Sequence, residues 1–418
     1  MNEPLVSIII PVYNGANYMR EAIDSALAQT YKNIEVMVVN DGSSDNGETE
    51  RIALSYGDRI RYLYKINGGV ATALNYAIEE MKGEYFSWLS HDDLYYPQKI
   101  EKQVAALKSS GDERSIVLSD VDFMEQGKIS SRLKLNSKYA VERLQNSVFP
   151  VLEGMVNGCA LLIHKSHFDR VGHFDENLIT TQDYDLWFRM FRNQSLIYVP
   201  EALIISRLHD AQGSRTISQH ESERDALYIR FMEQLTEHEM IGMYGSPYRF
   251  YGKMNELFLD FKLHAAYLYS DEKMRCVEVD TSIFDEINEL KHYLKHISNS
   301  LADRICVFGA GAYGRNLKEM LQNRNIPIGC FCDNDAEKWG TIIEGVVCVS
   351  PSQLMEIRDR TLVIVAIATP EPIVRQLQSL GIPFIITKQE LDPMLNKTSS
   401  LKWSSALHDK EDLNYTAL

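Results

Sequence analysis

Tyr85-Phe86-Ser87-Trp88-Leu89-Ser90-His91-Asp92-Asp93 passes from an apolar run directly into two carboxylates. The run reads as a buried strand, and the two adjacent anions stand at its exit. Two readings are open there. The pair is a solvated turn before the helix that Pro97 helps to start, or it faces a divalent cation. Hard cations such as Mg²⁺ and Mn²⁺ take oxygen ligands, usually one or two carboxylates plus substrate phosphates. Open α/β sheets bind ligands beyond the carboxyl ends of their strands, which is where this pair falls.

Working outward, Leu5 to Ile10 is almost continuously apolar, the pattern of a strand buried on both faces. Pro11 ends this strand in the sequence reading. A helix follows, with Met19, Ala22, Ile23, Ala26 and Leu27 on one face, and then a second strand, Ile34 to Val39. Strand, helix, strand predicts a parallel βαβ unit. The loop Asp41-Gly42-Ser43-Ser44-Asp45 caps the next helix, or its Asp41 accepts an N–H from a nucleobase edge while Tyr13 stacks on the base. Asn67-Gly68-Gly69 opens a helix through Ala71, Leu74, Ala77, Ile78 and Met81. Its glycines let a phosphate or ribose approach free backbone N–H groups, or serve a loop that needs positive φ.

Size and composition narrow the classes. A chain of 418 residues predicts two domains or three. A net charge of −15 argues against non-specific nucleic-acid binding. No apolar run nears the roughly 20 residues that span a bilayer. The N-terminus lacks a signal-peptide pattern, and the six cysteines contain no CxxC pair. These features predict reduced thiols in the cytoplasm and no structural zinc. Cys330 and Cys332 are expected in a core strand.

The ordered series Ile8-Ile9-Ile10-Pro11-Val12-Tyr13-Asn14, Val38 to Asp45, Asn67-Gly68-Gly69 with Ala73-Leu74-Asn75, and Leu89 to Asp93 resembles the family 2 glycosyltransferases of GT-A fold. With the later motifs, the resemblance covers roughly residues 5–215, and residues 1–215 are expected to form the GT-A domain. It implies a nucleotide-diphospho-sugar donor, expected to be a UDP-sugar, and inversion at the anomeric carbon. It also implies Mn²⁺ or Mg²⁺ as cofactor and a role in surface polysaccharide or glycan synthesis. The donor-binding residues it implies are Pro11, Tyr13, Asp41, Asn67, Gly68, Ser90 and Asp92. The family's metal motif usually reads Asp-x-Asp-Asp, so Ser90 is a departure. Asp92 matches the carboxylate that meets metal and diphosphate.

Phe168 to Glu176 resembles the segment that precedes the family's catalytic base, and Asp183 matches the base itself. Gln182 stands where the family usually has Glu. Asp183 and Asp185 also suit the first turn of a helix, where acids meet the positive end of the dipole. Arg207-Leu208-His209 to Ser214 resembles the loop that closes over the donor. It suggests Arg207 for phosphate charge and His209 for the metal shell or the diphosphate. Ser195 to Ile205 reads as two strands broken at Pro200.

Residues 216–300 read as a helical connector broken at Pro247. Its aromatic cluster (Tyr248, Phe250, Tyr251, Phe258, Phe261) is expected to pack, with a peripheral contact at the inner membrane face, toward a glycan or lipid-linked acceptor, as the alternative. From Arg304 the pattern restarts: a strand, then Gly309-Ala310-Gly311-Ala312-Tyr313-Gly314, a helix, a strand and Asp333. This is the dinucleotide fingerprint, so residues 301–390 are expected to form a smaller Rossmann-like α/β domain. Gly309, Gly311, Gly314 and Asp333 are its candidate contacts to a nucleotide or NAD(P). The competing reading is a glycine turn kept for packing. No Tyr-x-x-x-Lys follows, which argues against a complete sugar dehydrogenase. Residues 391–418 read as a polar tail. Two rival functions remain: a nucleotidyltransferase, disfavoured because no basic Gly-rich loop follows the first strand, and a degenerate transferase that only binds a nucleotide sugar.

Overall fold

The computed structural model describes residues 3–137, 139–145, 147–209, 217–298, 302 and 304–397. The chain divides into two units. The first takes residues up to 245 together with 257–270, and the second takes 246–256 and 271 onward. The segment expected as a separate connector is therefore shared between them.

The first unit is built on nine strands: β1 (Val6–Val12), β2 (Ile34–Asp41), β3 (Arg61–Lys65), β4 (Tyr85–Trp88), β5 (Leu94–Tyr95), β6 (Ile116–Glu125), β7 (Lys128–Leu133), β8 (Leu161–His164) and β9 (Leu196–Leu208). Their order is β3-β2-β1-β4-β8-β6-β9-β5, with β7 paired to β6. The strands β3, β2, β1 and β4 run parallel, joined by crossover helices, so their carboxyl ends open on one edge. Every residue of β1 and β4 is buried, as the continuous apolar runs predict.

Two prolines behave differently from the expectation. Pro11 lies inside β1, paired with Val39, and the strand ends one residue later. Pairing of β1 with β4 stops at Ile9, so Pro11 stands where β1 is flanked by β2 alone, and a position open on one side can go without its N–H. Pro200 does not break β9 in two. Pairing with β6 steps from Ser119↔Val199 to Asp120↔Ala202, so Pro200 and Glu201 form an exposed bulge within one strand. A bulge is where a strand tolerates proline, because the residue without an N–H falls outside the ladder.

The second unit holds β10 (Arg304–Phe308), β11 (Cys330–Cys332), β12 (Ile342–Ile343), β13 (Val346–Val349), β14 (Thr361–Val365) and β15 (Phe384–Thr387). Their order is β12-β13-β11-β10-β14-β15, all parallel except the β12–β13 hairpin. Alternate residues feed two apolar layers. Val307, Phe331 and Ile364 face one, and Cys306, Cys330, Cys332 and Val363 face the other. Residues 391–397 do not form the polar tail expected there. Lys388–Lys397 is a helix that buries Leu391 and Leu395, an i,i+4 pair in the core. The remainder of that expected tail, 398–418, lies outside the described residues.

Candidate active site

The edge formed by the carboxyl ends of β1, β2 and β4 gathers most of the expected residues. Adjacent strands lie about 4.8 Å apart, which puts the exits of β2 and β4 roughly 10 Å from each other across β1. Tyr13, just past β1, is 47% exposed, and its hydroxyl lies 3.4 Å from Ser44 Oγ. Its ring is thus free to stack on a planar ligand.

Asp41 closes β2 and is buried. One oxygen, Oδ1, accepts from Lys65 Nζ (2.7 Å) and from the Gly68 amide (3.0 Å); Oδ2 accepts from the Gly69 amide (2.8 Å). The Asn67 side-chain amide donates to the Asp41 carbonyl (2.9 Å). The amides expected to lie free for a phosphate or ribose therefore point at Asp41. A buried carboxylate recruits the nearest donors, and the helix start at Val70 supplies them. Gly69 has φ +91°, so the positive-φ reading of that glycine holds. Lys65, which sequence reasoning passed over, also donates to Thr72 Oγ1 (2.7 Å) and the Ile66 carbonyl (2.6 Å), so all three ammonium protons are used.

Past β4, Asp92 and His209 meet, with Oδ2 and Nε2 2.8 Å apart. Asp93 turns inward and accepts the Arg207 amide (2.8 Å), which ties the β4 exit to β9. Burial, then the charge of Asp92, push the Asp93 carboxyl up to about 7. Arg207 is engaged within the protein. Its Nε donates to the Asp92 carbonyl (2.9 Å), an Nη to Glu21 (2.8 Å), and its guanidinium lies 4.3 Å above the Tyr18 ring. A guanidinium tied at these points braces the loop. Residues 210–214 of the same motif lie outside the described residues.

Ser90 contacts Cys159: its amide donates to Sγ (3.3 Å) and the thiol lies 3.5 Å from Oγ. Behind β4, Lys99 is fully buried. Its ammonium donates to Ser87 Oγ (2.9 Å) and Gln103 Oε1 (2.9 Å) and sits 4.3 Å over the Tyr95 ring. Burial lowers it to about 7.

Asp183 arrives from the other half of the sheet, at the start of helix Gln182–Phe191. Two sets of contacts bring that helix to the β4 exit. Tyr184 donates its hydroxyl to the Val156 carbonyl (3.1 Å), three residues before the Cys159 that touches Ser90. Trp187, one turn after Asp183, meets Phe174 edge-on at 5.7 Å, and Phe174 meets Trp88 at 6.3 Å. Gly158 sits between the two tryptophans. A Cβ there would stand 2.7 Å from Trp88 and 3.3 Å from Trp187. Asn75 clamps the Phe174 backbone through its amide and carbonyl (3.0 and 2.9 Å). The Asp183 carboxylate accepts the Tyr184 amide (2.9 Å). Burial, opposed by that amide and aided by the charge of Glu223, lifts it to about 6. Asp185 is taken up by Arg189 (2.7 Å) and Arg230 (2.8 Å), as suits a structural acid.

Among the described residues no group of three His, Cys, Asp or Glu side chains stands ready to hold a metal. Asp92 and His209 form a two-donor set. That set fits an ion whose remaining ligands come from a diphosphate and water, the usual arrangement for Mg²⁺.

In the second unit, a Cβ on Gly314 would fall 1.7 Å from the Gly309 carbonyl oxygen, and Gly309 has φ +104°. Both glycines are thus required by packing and backbone. Gly311 faces open space. Asp333 accepts from the Ala310 amide (2.8 Å), the Asp335 amide (3.0 Å) and Lys338 (3.1 Å). Burial opposes its ionisation, but these donors outweigh burial and hold the carboxyl below its usual range.

With this geometry, comparison with known proteins assigns the class. Residues 7–170 match the glycosyl transferase family 2 model, and residues 301–384 match the model described as C2185-like, N-terminal. An uncharacterized glycosyltransferase of Rickettsia typhi is 55% identical over 248 residues, covering 59% of this chain and 77% of that protein. The chain belongs to glycosyl transferase family 2, and its first unit has the GT-A class of α/β fold. A relative from Rickettsia bellii is 56% identical over 59% of this chain, which spans only 36% of that longer protein. The solved structure of S. aureus TarS in complex with UDP-GlcNAc is similar at TM-score 0.44 and 15% identity, over 65% of this chain and 89% of that one. A likeness so distant bears on neither donor nor acceptor.

Proposed function

We propose that the chain is a metal-dependent, inverting glycosyltransferase moving a sugar from a nucleotide-diphospho-sugar, in the first instance a UDP-sugar, to an acceptor hydroxyl of a glycan or lipid-linked acceptor. The observation that carries this reading is Asp183. It is a carboxylate lifted to about 6, paired with no cation among the described residues, on a helix that packs through Trp187 and Phe174 against Trp88 at the end of β4. A base with a pKa near the working pH is both ionised and strong enough to accept a proton.

In this reading Tyr13 stacks on the base and Asp41, held by Lys65, accepts from its edge. Ser90 hydrogen-bonds the ribose. Asp92 and His209 would hold Mn²⁺ or Mg²⁺, which would neutralise charge growing on the leaving diphosphate. Asp183 takes the acceptor proton as the acceptor oxygen bonds to the anomeric carbon. The bond from that carbon to the diphosphate oxygen breaks on the opposite face, which inverts the configuration. A thermal-shift panel of UDP-, GDP- and dTDP-sugars with and without Mn²⁺ tests the donor assignment. Stabilisation by one nucleotide class that needs Mn²⁺ is expected, and no stabilisation by any of them contradicts it. The departures at Ser90 and Gln182 keep one rival in play, a binding module without turnover. Release of UDP from a bound donor in Mn²⁺ excludes that rival.

We read the second unit as Rossmann-like, supported by the parallel order β13-β11-β10-β14-β15 and the glycine turn after β10. Support for a nucleotide or NAD(P) there is limited to Gly311, since Gly309 and Gly314 have packing reasons and Asp333 is already engaged. Stabilisation by NAD⁺ or NADP⁺ that Gly311→Val abolishes is the expected sign of such a site.

A further inference from the structure

Helix His220–Gln234 lies beyond the stretch that matches the family model, within the segment expected as a connector. Its Glu223 makes an unusual set of contacts. Oε2 accepts the Ile179 amide (2.9 Å). Oε1 accepts the Thr180 amide (2.7 Å) and hydroxyl (2.9 Å), and the Thr181 amide (2.7 Å) and hydroxyl (2.8 Å). Three consecutive amides turned toward one anion make a small anion-binding nest. Burial alone would raise Glu223, but these donors outweigh it and hold the carboxyl below its usual range.

Residues 179–181 lead directly into the helix that carries Asp183. Thr181 occupies the N-cap position but makes no side-chain cap of its own. A carboxylate from another helix takes the place of that cap, where a negative charge also complements the dipole. Seven residues on, Arg230 holds Asp185 (2.8 Å), and Phe231 stacks on Phe188 at 4.1 Å and 8°. Helix 220–234 thus grips the chain on both sides of Asp183. A free loop would let that carboxylate wander, and misplacement by about 1 Å can cost on the order of 10²-fold in rate.

We propose that Glu223 is a positioning residue for Asp183, fixing the angle at which that carboxylate meets the acceptor hydroxyl. The inference rests on the reading of Asp183 as the base. The charge of Glu223 acts on Asp183 itself, those of Arg224 and Tyr228 act on the adjacent Tyr184, and Asp185, two residues on, is paired with Arg189 and Arg230. Of these, Glu223 is the one whose charge acts to raise Asp183.

The test uses the full chain, Mn²⁺ and whichever of UDP-GlcNAc, UDP-glucose or UDP-galactose binds, reading UDP release across pH. Glu223→Gln is expected to lower kcat by up to about 10²-fold with donor KM unchanged. Its acid limb should move to lower pH, because an anion beside Asp183 has been neutralised. Glu223→Asp keeps the charge but loses reach, so kcat falls while the limb stays nearer that of the wild type. A folded Glu223→Gln protein with wild-type kcat and limb overturns the inference. So does one whose limb stays put while kcat falls together with donor affinity. If Glu223→Gln does not fold, the pair Thr180→Val and Thr181→Val removes two of the five donors and must lower kcat without changing donor KM; an unchanged kcat overturns the inference. Asp183→Asn is run alongside. If it keeps turnover, the base assignment fails; if it is inactive while Glu223→Gln is normal, only the positioning role fails.

Discussion

At the scale of single residues, the site is a set of buried or half-buried charges, each with a stated partner. Lys65 is the plainest example, since its ammonium protons go to Asp41, Thr72 and the Ile66 carbonyl. Removing it leaves Asp41 buried beside two amides and no cation. Lys65→Met is expected to cost about 3 kcal/mol of stability, as breaking a buried pair does, and to weaken UDP binding. Urea unfolding and calorimetric titration with UDP check both, and unchanged UDP affinity would separate Asp41 from the donor. Asp183 has the opposite character. Its folded pKa of about 6 lies above its ordinary value of 3.8, so the folded state binds that proton more tightly. The stability it contributes is present below pH 3.8 and is lost as pH rises through about 6. At neutral pH the ionised group is therefore a strain on the fold, and Asp183→Asn is expected to raise Tm at pH 7.5 but much less at pH 4. A lower Tm at pH 7.5 would mean that the carboxylate is stabilising.

At the scale of elements, most of the first unit was legible from periodicity. The buried strands β1 and β4, the amphipathic helix Met19–Leu27 and the acidic exits at Asp41 and Asp92 all lie in short windows where apolar spacing decides the outcome. What escaped was non-local. Pro200 looked like a break because the β6 partner that absorbs a bulge lies some eighty positions earlier in the chain. Glu223 sat in a helix with no motif, and its partners at 179–181 are about forty residues away. Arg207 matched a motif, yet Glu21 on helix Met19–Leu27 and Tyr18 just before it, at the far end of the unit's sequence, engage it. Contacts of that kind leave no trace in local spacing. The packing of β4 against helix Gln182–Phe191 offers its own check at Gly158. Alanine there meets the Trp88 ring at 2.7 Å. Gly158→Ala should destabilise by about 1–3 kcal/mol through overpacking and lower kcat along with stability. A neutral effect in urea unfolding would show that the two tryptophans are not held against each other.

At the scale of the whole molecule, the chain combines a family 2 transferase unit with a second parallel sheet whose glycine turn is explained in large part by packing. Thiol chemistry reads both units in one experiment. Cys276 is exposed, whereas Cys159, Cys306, Cys330, Cys332 and Cys348 are buried. Ellman's reagent should therefore label one thiol rapidly in the native protein and the rest only on unfolding. Rapid labelling of two or more would mean that one of the cores is open. No helix among the described residues is long and apolar enough to cross a membrane.

The central claim is that Asp183 removes the acceptor proton while the edge of β1, β2 and β4 holds the donor. Its most direct test is Asp183→Asn, measured for donor binding by thermal shift in Mn²⁺ and for UDP release in the same buffer. The account predicts wild-type donor stabilisation with turnover lowered by at least about 10²-fold. Turnover equal to that of the wild-type enzyme would contradict it.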